Sequence, residues 1–330
     1  MPATETALQR AEDLAERVLP SRQPKRRMLI IVNPYASTVS DRLKNLVVYA
    51  LQGRYSVEAV DTQRRQHAIE LTREAAEEGY DVVVAFGGDG TINEAANGLA
   101  GSDTPMTVLP GGSTNVYCRA LGIPEDVVDA TEHLLRMADD FAPRRVDLGR
   151  VNGRAFVSSC GIGLDASVVE RVDAHPKLKA RLSEYWFTYA ALTTVNRKYL
   201  IKPPHMTVEA DGRTVDAVTA IAQVSDPYTY FASRPIRLSP DVSMTDGKMG
   251  LTVLKRATPL AIPTLVGRVF TGNPETVRGH RQVEGFNHLD GAVITSRDGR
   301  PLPVQVDGDH VGEWERAELS VVPRGLAVVS

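Results

Sequence analysis

The segment from Gly87 to Thr91 reads Gly-Gly-Asp-Gly-Thr and combines two chemical features in one turn. Paired glycines remove the Cβ atoms that keep a bulky anion from the backbone, and a helix starting near Thr91 offers free N–H groups. Asp89 is negatively charged, so a metal ion or an arginine has to stand between its carboxylate and a phosphate. The segment therefore indicates a nucleotide-phosphate site with a metal. The alternative is a tight strand-to-helix turn with Asp89 as a solvated cap.

Buried parallel strands are the elements that must position this turn. The run from Val82 to Phe86 is apolar and rich in β-branched residues, as is typical of a strand buried on both faces. Comparable runs, each followed by a polar loop and a helical pattern, occur at Met28–Val32, Ser56–Val60 and Met106–Leu109. Alternating strands and helices predict a doubly wound parallel α/β domain, which we assign to residues 26–145.

Polar loops follow these strands. The carboxyl ends of parallel strands share one edge of a sheet, where ligands bind, so we expect the loops to converge. The loops concerned are Asn33, Thr62, Gly87–Thr91 and Gly111–Asn115. Such convergence favours a binding site over a plain turn.

Beyond about residue 145 the pattern changes. Short alternating runs, one of them a single strand expected at residues 214–223, are separated by Asn-Gly and Asp-Gly pairs, which favour tight hairpin turns. These pairs begin at Asn152, Asp211, Asp246, Asp298 and Asp307. We predict an antiparallel β-sandwich over residues 146–322, interrupted by helices near residues 177–198 and 258–268. We expect residues 323–330 to pack back on the first domain.

Composition limits the classes of function. The 330 residues carry a net charge of −3, so no overall positive field favours nucleic acid as a partner. Cys118 and Cys160 lie outside any Cys-x-x-Cys pattern and indicate reduced thiols of a cytoplasmic protein. No apolar run reaches the length of a membrane span, and the His-Glu-x-x-His motif of zinc proteases does not occur.

The motifs, taken in order, resemble those of the diacylglycerol kinase catalytic-domain family, in its bacterial soluble lipid-kinase branch. The resemblance extends from about residue 26 to the C-terminus. It rests on Asn33-Pro34, Gly87–Glu94, Gly111–Pro124, Gly161–Asp165, Pro240–Gly247 and Gln305–Asp309. The glycine turn alone also occurs in NAD kinases and phosphofructokinases, whereas the ordered set is more specific.

This resemblance implies an ATP-dependent, magnesium-requiring lipid kinase. The residues matching the family's ATP-binding positions are Asn33, Thr62, Gly87, Gly88, Asp89, Gly90, Thr91, Ile92, Asn93, and Ser113 or Thr114. Asp89 would serve the magnesium–nucleotide end, and Asp309 would be the general base that deprotonates a lipid hydroxyl. A separate loop resembles the family's structural magnesium site, where Asp246 ligates through its carboxylate and Ser243 and Lys248 through backbone carbonyls.

Two positions depart from the family pattern. Asp309 stands where the family has Glu, which shortens the carboxylate arm by one methylene, and Val116 stands where the family usually has Asp. Valine binds neither metal nor water. These departures keep open a catalytically impaired protein that regulates by binding lipid or nucleotide. The other alternative is an NAD-kinase-like kinase of a soluble metabolite, which leaves Asp309 and the magnesium loop unexplained.

Several segments raise the question of membrane or partner contacts. We interpret residues 1–25 as an appended amphipathic helix covering the first domain, with a membrane-surface helix as the alternative. The aromatic stretch at residues 183–192, flanked by basic residues at 177–181 and 197–198, favours a core helix over a membrane lip. Tyr228–Phe231 is open to the same two interpretations, core packing or the lining of an acyl-chain entrance. The resemblance suggests a homodimer and peripheral contact with the inner membrane face. Diacylglycerol, a sphingoid or ceramide-like lipid, phosphatidylglycerol and a glycolipid all stay open as acceptors.

Overall fold

The computed structural model describes residues 25–36, 38–163, 166, 204–231, 234–258 and 261–330. The predicted N-terminal helix and the predicted helix at residues 177–198 lie outside the described residues.

Four parallel strands form the centre of the first half. They are β1 (Arg27–Val32), β2 (Ser56–Asp61), β3 (Val82–Gly87) and β4 (Met106–Pro110), in the order β2-β1-β3-β4. The side chains of β3 and β4 are buried throughout, as their continuous apolar sequences require, and β2 forms the more exposed edge.

Among the described residues, five helices connect and cover these strands: α1 (Asp41–Leu51), α2 (His67–Glu77), α3 (Asp89–Leu99), α4 (Val116–Ala120) and α5 (Val127–Met137). Helix α3 begins at Asp89, because Gly88 is already extended at the N-cap position. It packs closely on α2, since a Cβ added to Gly98 would lie 1.9 Å from Oγ1 of Thr72. Helix α5 was not expected from the sequence, although the Asp126 carboxylate caps it by accepting the N–H of Val128.

The second half is mainly antiparallel. Its elements are β5 (Arg144–Val151), β6 (Arg154–Phe156), β7 (Ser159–Gly163), β8 (Met206–Ala210), β9 (Arg213–Ala217), β10 (Thr219–Gln223), β11 (Thr229–Phe231), β12 (Arg234–Ile236), β13 (Met249–Leu254), α6 (Ala261–Val269), α7 (Pro274–Arg278), β14 (Val283–Leu289), β15 (Gly291–Ser296), β16 (Leu302–Val306), β17 (Asp309–Trp314) and β18 (Arg316–Val328). Strands β14-β13-β10-β7-β16-β17 form a six-stranded sheet.

Strands β11 and β12 pair with each other, and the remaining strands extend the parallel sheet to ten strands. Its order continues β4-β18-β15-β8-β9, with β5 paired to β18 and β6 paired to β5. The second core lies between the two sheets, with residues such as Ile294 and Leu319 from one sheet and Ile162 and Val304 from the other. The predicted fold class, a parallel α/β half followed by an antiparallel β-sandwich, is confirmed.

Strand β18 physically joins the two halves. Its first part pairs with β15, and its last residue in the strand, Val328, pairs in parallel with Met106 of β4. Leu326, Val328 and Val329 are buried in the core of the first half. The C-terminal residues therefore lie on the parallel sheet.

Two expectations from the hairpin pattern are wrong. The single strand expected at residues 214–223 is two strands, because the chain changes sheets at Val218: β9 pairs with β8, whereas β10 pairs with β7 and β13. The Asp246 and Asp298 pairs do not close two-residue hairpins. In contrast, the pairs at Asn152, Asp211 and Asp307 do, each with positive φ at both residues.

Within the described ranges, no helix is both long and apolar enough to cross a membrane.

Candidate functional site

Two glycine-bearing turns lie against each other at the carboxyl edge of the parallel sheet. The N–H of Gly111 donates to the carbonyl of Gly87 at 2.9 Å. A Cβ added to Gly111 would lie 2.8 Å from Cα of Gly87, and one added to Gly112 would lie 2.9 Å from Cα of Gly88. Side chains at these positions would force the turns apart, so glycine is required on steric grounds.

Asn33 and Thr62 lie at the same edge. The Asn33 side chain donates from Nδ2 to Oγ1 of Thr91 at 3.1 Å. The N–H of Thr62 donates to the carbonyl of Val32 at 2.8 Å, which places the end of β2 beside the end of β1. Thr91 also accounts for the glycine before it, because a Cβ added to Gly87 would lie 2.6 Å from the Thr91 hydroxyl oxygen. The structure thus brings the loops after all four parallel strands together.

The loop after β4 is shaped by Asn115. This residue has a left-handed backbone (φ 47°), and its side chain bonds the Gly112 backbone twice, accepting its N–H and donating to its carbonyl at 2.9 Å each. Ser113 is exposed and Thr114 is half-buried. Both hydroxyls therefore belong to a fixed turn beside the glycines.

Ile92 and Asn93 have buried side chains. Ile92 is part of the core of the first half. Asn93 is 1% exposed and faces the second half of the chain. Both residues lie on α3, next to the glycine turn. The Ile92 side chain packs in the core of the first half, and the Asn93 side chain contacts the second half.

The Asp89 carboxylate lies over the start of α4. Its Oδ1 accepts the N–H of Tyr117 at 3.3 Å, and the N–H of Val116 also bonds to it. Burial raises the pKa of Asp89 to about 6; these hydrogen bonds lower it, and the carboxylates of Asp307 and Asp309 raise it. Val116 contributes its backbone N–H, so the change from Asp to Val leaves this contact intact.

Asp309 reaches the same turn from the second half. It is the first residue of β17, directly after the tight turn at Asp307 and Gly308. A Cβ added to Gly90 would lie only 2.1 Å from Oδ2 of Asp309, so the carboxylate rests on the backbone of α3. Asp89 and Asp309 therefore meet at the first turn of one helix.

The hairpin that carries Asp309 is anchored by Asp307. Its Oδ1 accepts the N–H groups of Ser158 and Ser159 at 2.8 and 3.0 Å. Its Oδ2 accepts the N–H of Val157 at 2.9 Å and Nδ2 of Asn93 at 2.7 Å. Burial raises the pKa of the Asp307 carboxyl, and these hydrogen bonds oppose the rise. The sequence suggested only a turn at Asp307, and the structure shows the contact that ties the turn to α3.

Arg154 was not singled out from the sequence. It is half-buried on β6 and donates from Nη2 to Oδ1 of Asn93 at 2.5 Å. Burial lowers the pKa of Arg154, while the nearby carboxylates of Glu94, Asp307 and Asp309 raise it. In the sequence, Arg154 directly follows the Asn152-Gly153 turn, a position typical of an exposed charge.

The predicted magnesium loop lies between β12 and β13. Asp246 is exposed, and its Oδ1 accepts the N–H of Lys248 at 3.0 Å. The Lys248 ammonium pairs with Asp290 at 2.6 Å, and the exposed Ser243 hydroxyl bonds to that of Thr245. The structure does not bring Ser243, Asp246 or Lys248 into the glycine turns.

A buried carboxylate, Asp147, holds this loop in place. Asp147 is 1% exposed, and its Oδ2 accepts the N–H of Gly247 at 2.6 Å. Its own N–H donates to the carbonyl of Met244 at 2.7 Å, and its Oδ1 accepts the N–H of Arg324 at 2.7 Å. Protein hydrogen bonds thus fix the loop, and two of its carboxylates, Asp241 and Asp246, are exposed.

Across the part of the chain that the structure describes, no cluster of three or more His, Cys, Asp or Glu side chains is arranged to hold a metal. Magnesium in nucleotide sites commonly takes one or two carboxylates and completes its shell with phosphates and water. Asp89 supplies one such carboxylate at the glycine turn.

An apolar surface lies beside α4. The rings of Phe231 and Phe270 pack edge to face with centroids 5.1 Å apart, and both are partly exposed, as is Val266 on α6. Helix α6 has an apolar sequence, yet none of its residues is buried. The Arg119 guanidinium of α4 lies 4.1 Å from the ring centroid of Tyr230 on β11, which joins this surface to the first half.

Comparison with known proteins agrees with this architecture. Residues 27–151 match the family model of the diacylglycerol kinase catalytic domain, and residues 158–330 match that of the YegS C-terminal NAD kinase beta sandwich-like domain. A diacylglycerol kinase of Bacillus subtilis is 31% identical over 237 residues, which cover 70% of this chain and 75% of that protein. The chain belongs to the diacylglycerol kinase catalytic-domain family. The resemblance inferred from the motifs is confirmed.

More distant relatives show the same pattern. A diacylglycerol kinase of Staphylococcus aureus is 25% identical over 239 residues, which cover 71% of this chain and 72% of that protein. The crystal structure of a Bacillus anthracis protein, provisionally named a diacylglycerol kinase, matches with a TM-score of 0.73 and 22% identity. The match covers 94% of this chain and 97% of that one. At this identity the likeness concerns the fold.

Proposed function

We propose that this protein is an ATP-dependent, magnesium-requiring kinase that phosphorylates a hydroxyl of diacylglycerol or a related lipid. The observation that carries the proposal is the position of Asp309, which comes from the antiparallel half and rests against Gly90 at the glycine turn. Membership of the diacylglycerol kinase family supports kinase chemistry. A phosphate-binding turn facing a carboxylate from another domain is the arrangement that phosphoryl transfer to a second substrate requires.

The glycine turns would hold the ATP phosphates. The close approach of Gly87 and Gly111 leaves the backbone at this edge uncovered by side chains, and the N-terminal turn of α3 would offer N–H groups to phosphate oxygens. Asn33 and Thr62, with the hydroxyls of Ser113 or Thr114, surround this position and would complete nucleotide binding.

Asp89 would hold a magnesium ion, which neutralises phosphate charge as the bond to ADP breaks. The raised pKa of Asp89, about 6, reflects burial and nearby carboxylates without a cation. A divalent cation would favour the ionised carboxylate by direct attraction. The residues at the turn therefore fit a magnesium–nucleotide complex.

Asp309 would accept the proton of the lipid hydroxyl. As that oxygen bonds to the γ-phosphorus, the bond between the γ-phosphorus and the bridging oxygen of ADP breaks, and the proton passes to Asp309. The shorter arm of aspartate suits this chain, because its carboxylate already contacts α3 at a glycine.

The lipid would approach over the surface formed by Phe231, Val266 and Phe270. These exposed apolar side chains are the type that contacts acyl chains or a lipid surface. The contact between Tyr230 and Arg119 supports this route, because Arg119 belongs to α4, the helix that follows the second glycine turn. We therefore propose that acyl chains bind on this side.

The test is transfer of the terminal phosphate from labelled ATP to a defined panel: diacylglycerol, ceramide, sphingosine, phosphatidylglycerol, a glycolipid and NAD. We expect a labelled lipid with the wild-type protein and at least about a 100-fold lower rate with Asp309→Asn. Asp298→Asn, at an exposed turn of the same half, is the matched control and should keep the wild-type rate. Label in NAD alone, or no labelled product from any acceptor, would refute the lipid-kinase proposal.

A further inference from the structure

We propose that Arg154 is a positioning residue that orients the Asn93 amide, and thereby holds the Asp307–Asp309 hairpin against α3. The inference rests on the proposed function, because the group being positioned is the proposed base. Arg154 lies outside every motif that carried the family resemblance.

The oxygen and the nitrogen of the Asn93 side-chain amide have different partners. Its Oδ1 accepts Nη2 of Arg154 at 2.5 Å, and a weaker contact from Asn97 at 3.2 Å. Its Nδ2 donates to the carbonyl of Ala155 at 2.9 Å and to Oδ2 of Asp307 at 2.7 Å. A flipped amide would place its oxygen against two acceptors and its NH2 group against a guanidinium. The guanidinium, which has no acceptor, therefore selects one orientation.

In this orientation, the Asn93 amide bonds the Asp307–Asp309 hairpin to α3. Of the four hydrogen bonds to the Asp307 carboxylate, three come from Val157, Ser158 and Ser159 in the same half. The bond from Asn93 crosses to α3. Gly90 and Asn93 are three residues apart on that helix and therefore lie on one face. The Asn93 bond and the contact between Gly90 and Asp309 thus act on the same hairpin, two residues apart.

The positive charge of Arg154 lies near three carboxylates. The Arg154 guanidinium lies close enough to the carboxylates of Glu94, Asp307 and Asp309 to interact with them electrostatically. A planar guanidinium directs its N–H groups along fixed lines, which an ammonium does not. The hairpin that carries Arg154 is anchored to β18, because the Asn152 side chain donates to the carbonyl of Arg316 at 2.9 Å and accepts the N–H of Glu318 at 2.8 Å.

The experiment compares Arg154→Gln, Arg154→Lys and the control Arg150→Gln in the full chain. Arg150 is half-buried on β5, in the same β-hairpin, and the structure shows no bond from it to Asn93. With the best acceptor from the lipid panel, we expect Arg154→Gln to lower kcat about 100-fold, as a misplaced catalytic group does. The KM for ATP should stay within about threefold in the same assay. Arg154→Lys should recover part of the loss, and Arg150→Gln should match the wild type.

A second measurement needs no kinase activity. Hydrogen exchange of ligand-free protein reports on the amides of Asp307 and Gly308, which donate to the Ser159 carbonyl and the Gln305 side chain at 2.9 Å each. Arg154→Gln should speed their exchange about tenfold, and Arg150→Gln should not. This result stands even if the wild-type protein labels no lipid, so the two proposals fail separately.

Two outcomes would overturn the inference. If Arg154→Gln raises the KM for ATP tenfold with kcat unchanged, Arg154 is a phosphate ligand. If it lowers only the melting temperature, with kcat and hairpin exchange unchanged, Arg154 is merely structural. Should Arg154→Gln fail to fold, the lysine variant decides, because a folded variant with unchanged kcat and exchange also refutes positioning.

Discussion

Two Asp-Gly pairs of the antiparallel half look alike in sequence and differ in the fold. In the β16–β17 hairpin, the Asp307 carboxylate accepts four hydrogen bonds, one of them from Asn93 across the two halves. In the loop before β13, Asp246 is exposed and accepts the N–H of Lys248 from its own loop. The carboxylate that anchors that loop is Asp147, 100 residues before Gly247.

An Asp-Gly pair fixes a local backbone shape but not the role of its carboxylate. Asp307 serves as an anchor because its partners are N–H groups from another strand and another helix. Asp246 leaves its carboxylate at the surface because Asp147 has taken the anchoring contacts. Substitutions at these two loops should therefore differ in the size of their effects on stability and turnover.

Removing the Asp307 anchor should have the largest effect. Asp307→Ala leaves three backbone N–H groups and the Asn93 amide without their acceptor, so we expect the free energy of unfolding to fall by about 3 kcal/mol. Denaturant unfolding followed by circular dichroism measures this change. Asp298→Ala, at an exposed Asp-Gly pair, should cost less than about 0.5 kcal/mol, and equal losses in the two variants would contradict the comparison.

Displacing the Asp309 carboxylate should come next. Gly90→Ala places a Cβ where Oδ2 of Asp309 now lies, so we expect about a 100-fold lower kcat with ATP affinity within about threefold. Gly267→Ala on α6 is the control, because a Cβ there meets nothing within 4 Å. Steady-state kinetics and nucleotide titration separate the two quantities. Unchanged turnover in Gly90→Ala would argue against Asp309 as the base.

Removing the second anchor should have an intermediate effect. Asp147→Ala leaves the N–H groups of Gly247 and Arg324 without this acceptor, and we expect a loss of about 2 kcal/mol in the free energy of unfolding. The same unfolding assay applies, with Asp246→Ala as its partner variant. If Asp246→Ala proves the more costly in the presence of a chelator, Asp147 is not the anchor of the loop.

The pH dependence of stability tests the raised pKa of Asp89. Because the folded pKa of Asp89, about 6, lies above its value of roughly 3.9 in an unfolded chain, its contribution to stability is fully present below pH 4. That contribution is lost as the pH rises through about 6. In chelator, the melting temperature of the wild type should therefore fall by about 3 °C more than that of Asp89→Asn between pH 4 and pH 7. Parallel curves for the two proteins would refute the shift.

The smallest effect is expected at Asp246. In chelator, Asp246→Ala should change the free energy of unfolding by less than about 0.5 kcal/mol, since the side chain is exposed. With magnesium added, we expect the melting temperature of the wild type to rise more than that of the variant, which keeps only the proposed site at Asp89. A magnesium-dependent rise of equal size in both proteins would place the ion elsewhere.

Much of the parallel half could be predicted from sequence, because its signals are local. Continuous apolar strands such as Val82–Phe86 and the glycines that follow them determine both the strand and the turn. Hairpins with positive φ at Asn152, Asp211 and Asp307 were equally visible as turn residues. In each case, neighbouring residues carry the information.

The contacts that complete the site are not local, and so the sequence did not predict them. Arg154 and Asn93 are 61 positions apart, and Asn93 and Asp307 are 214 apart. The sheet change at Val218 was missed because it depends on which distant strand pairs with each side of that residue. Resemblance to a family identified Asp309, but only the fold shows that it rests on Gly90.

The pairing of Val328 with Met106 has a consequence for the order in which the protein acquires its structure. Strand β4 lies between β3 and β18, so one edge of β4 has no partner until residues 316–328 have been synthesised. Contacts of such long sequence separation form slowly and leave strand edges accessible to wrong partners. Nascent chains of this protein should therefore expose the edge of β4 on the ribosome, and chains cut short before Leu326 should be prone to aggregation.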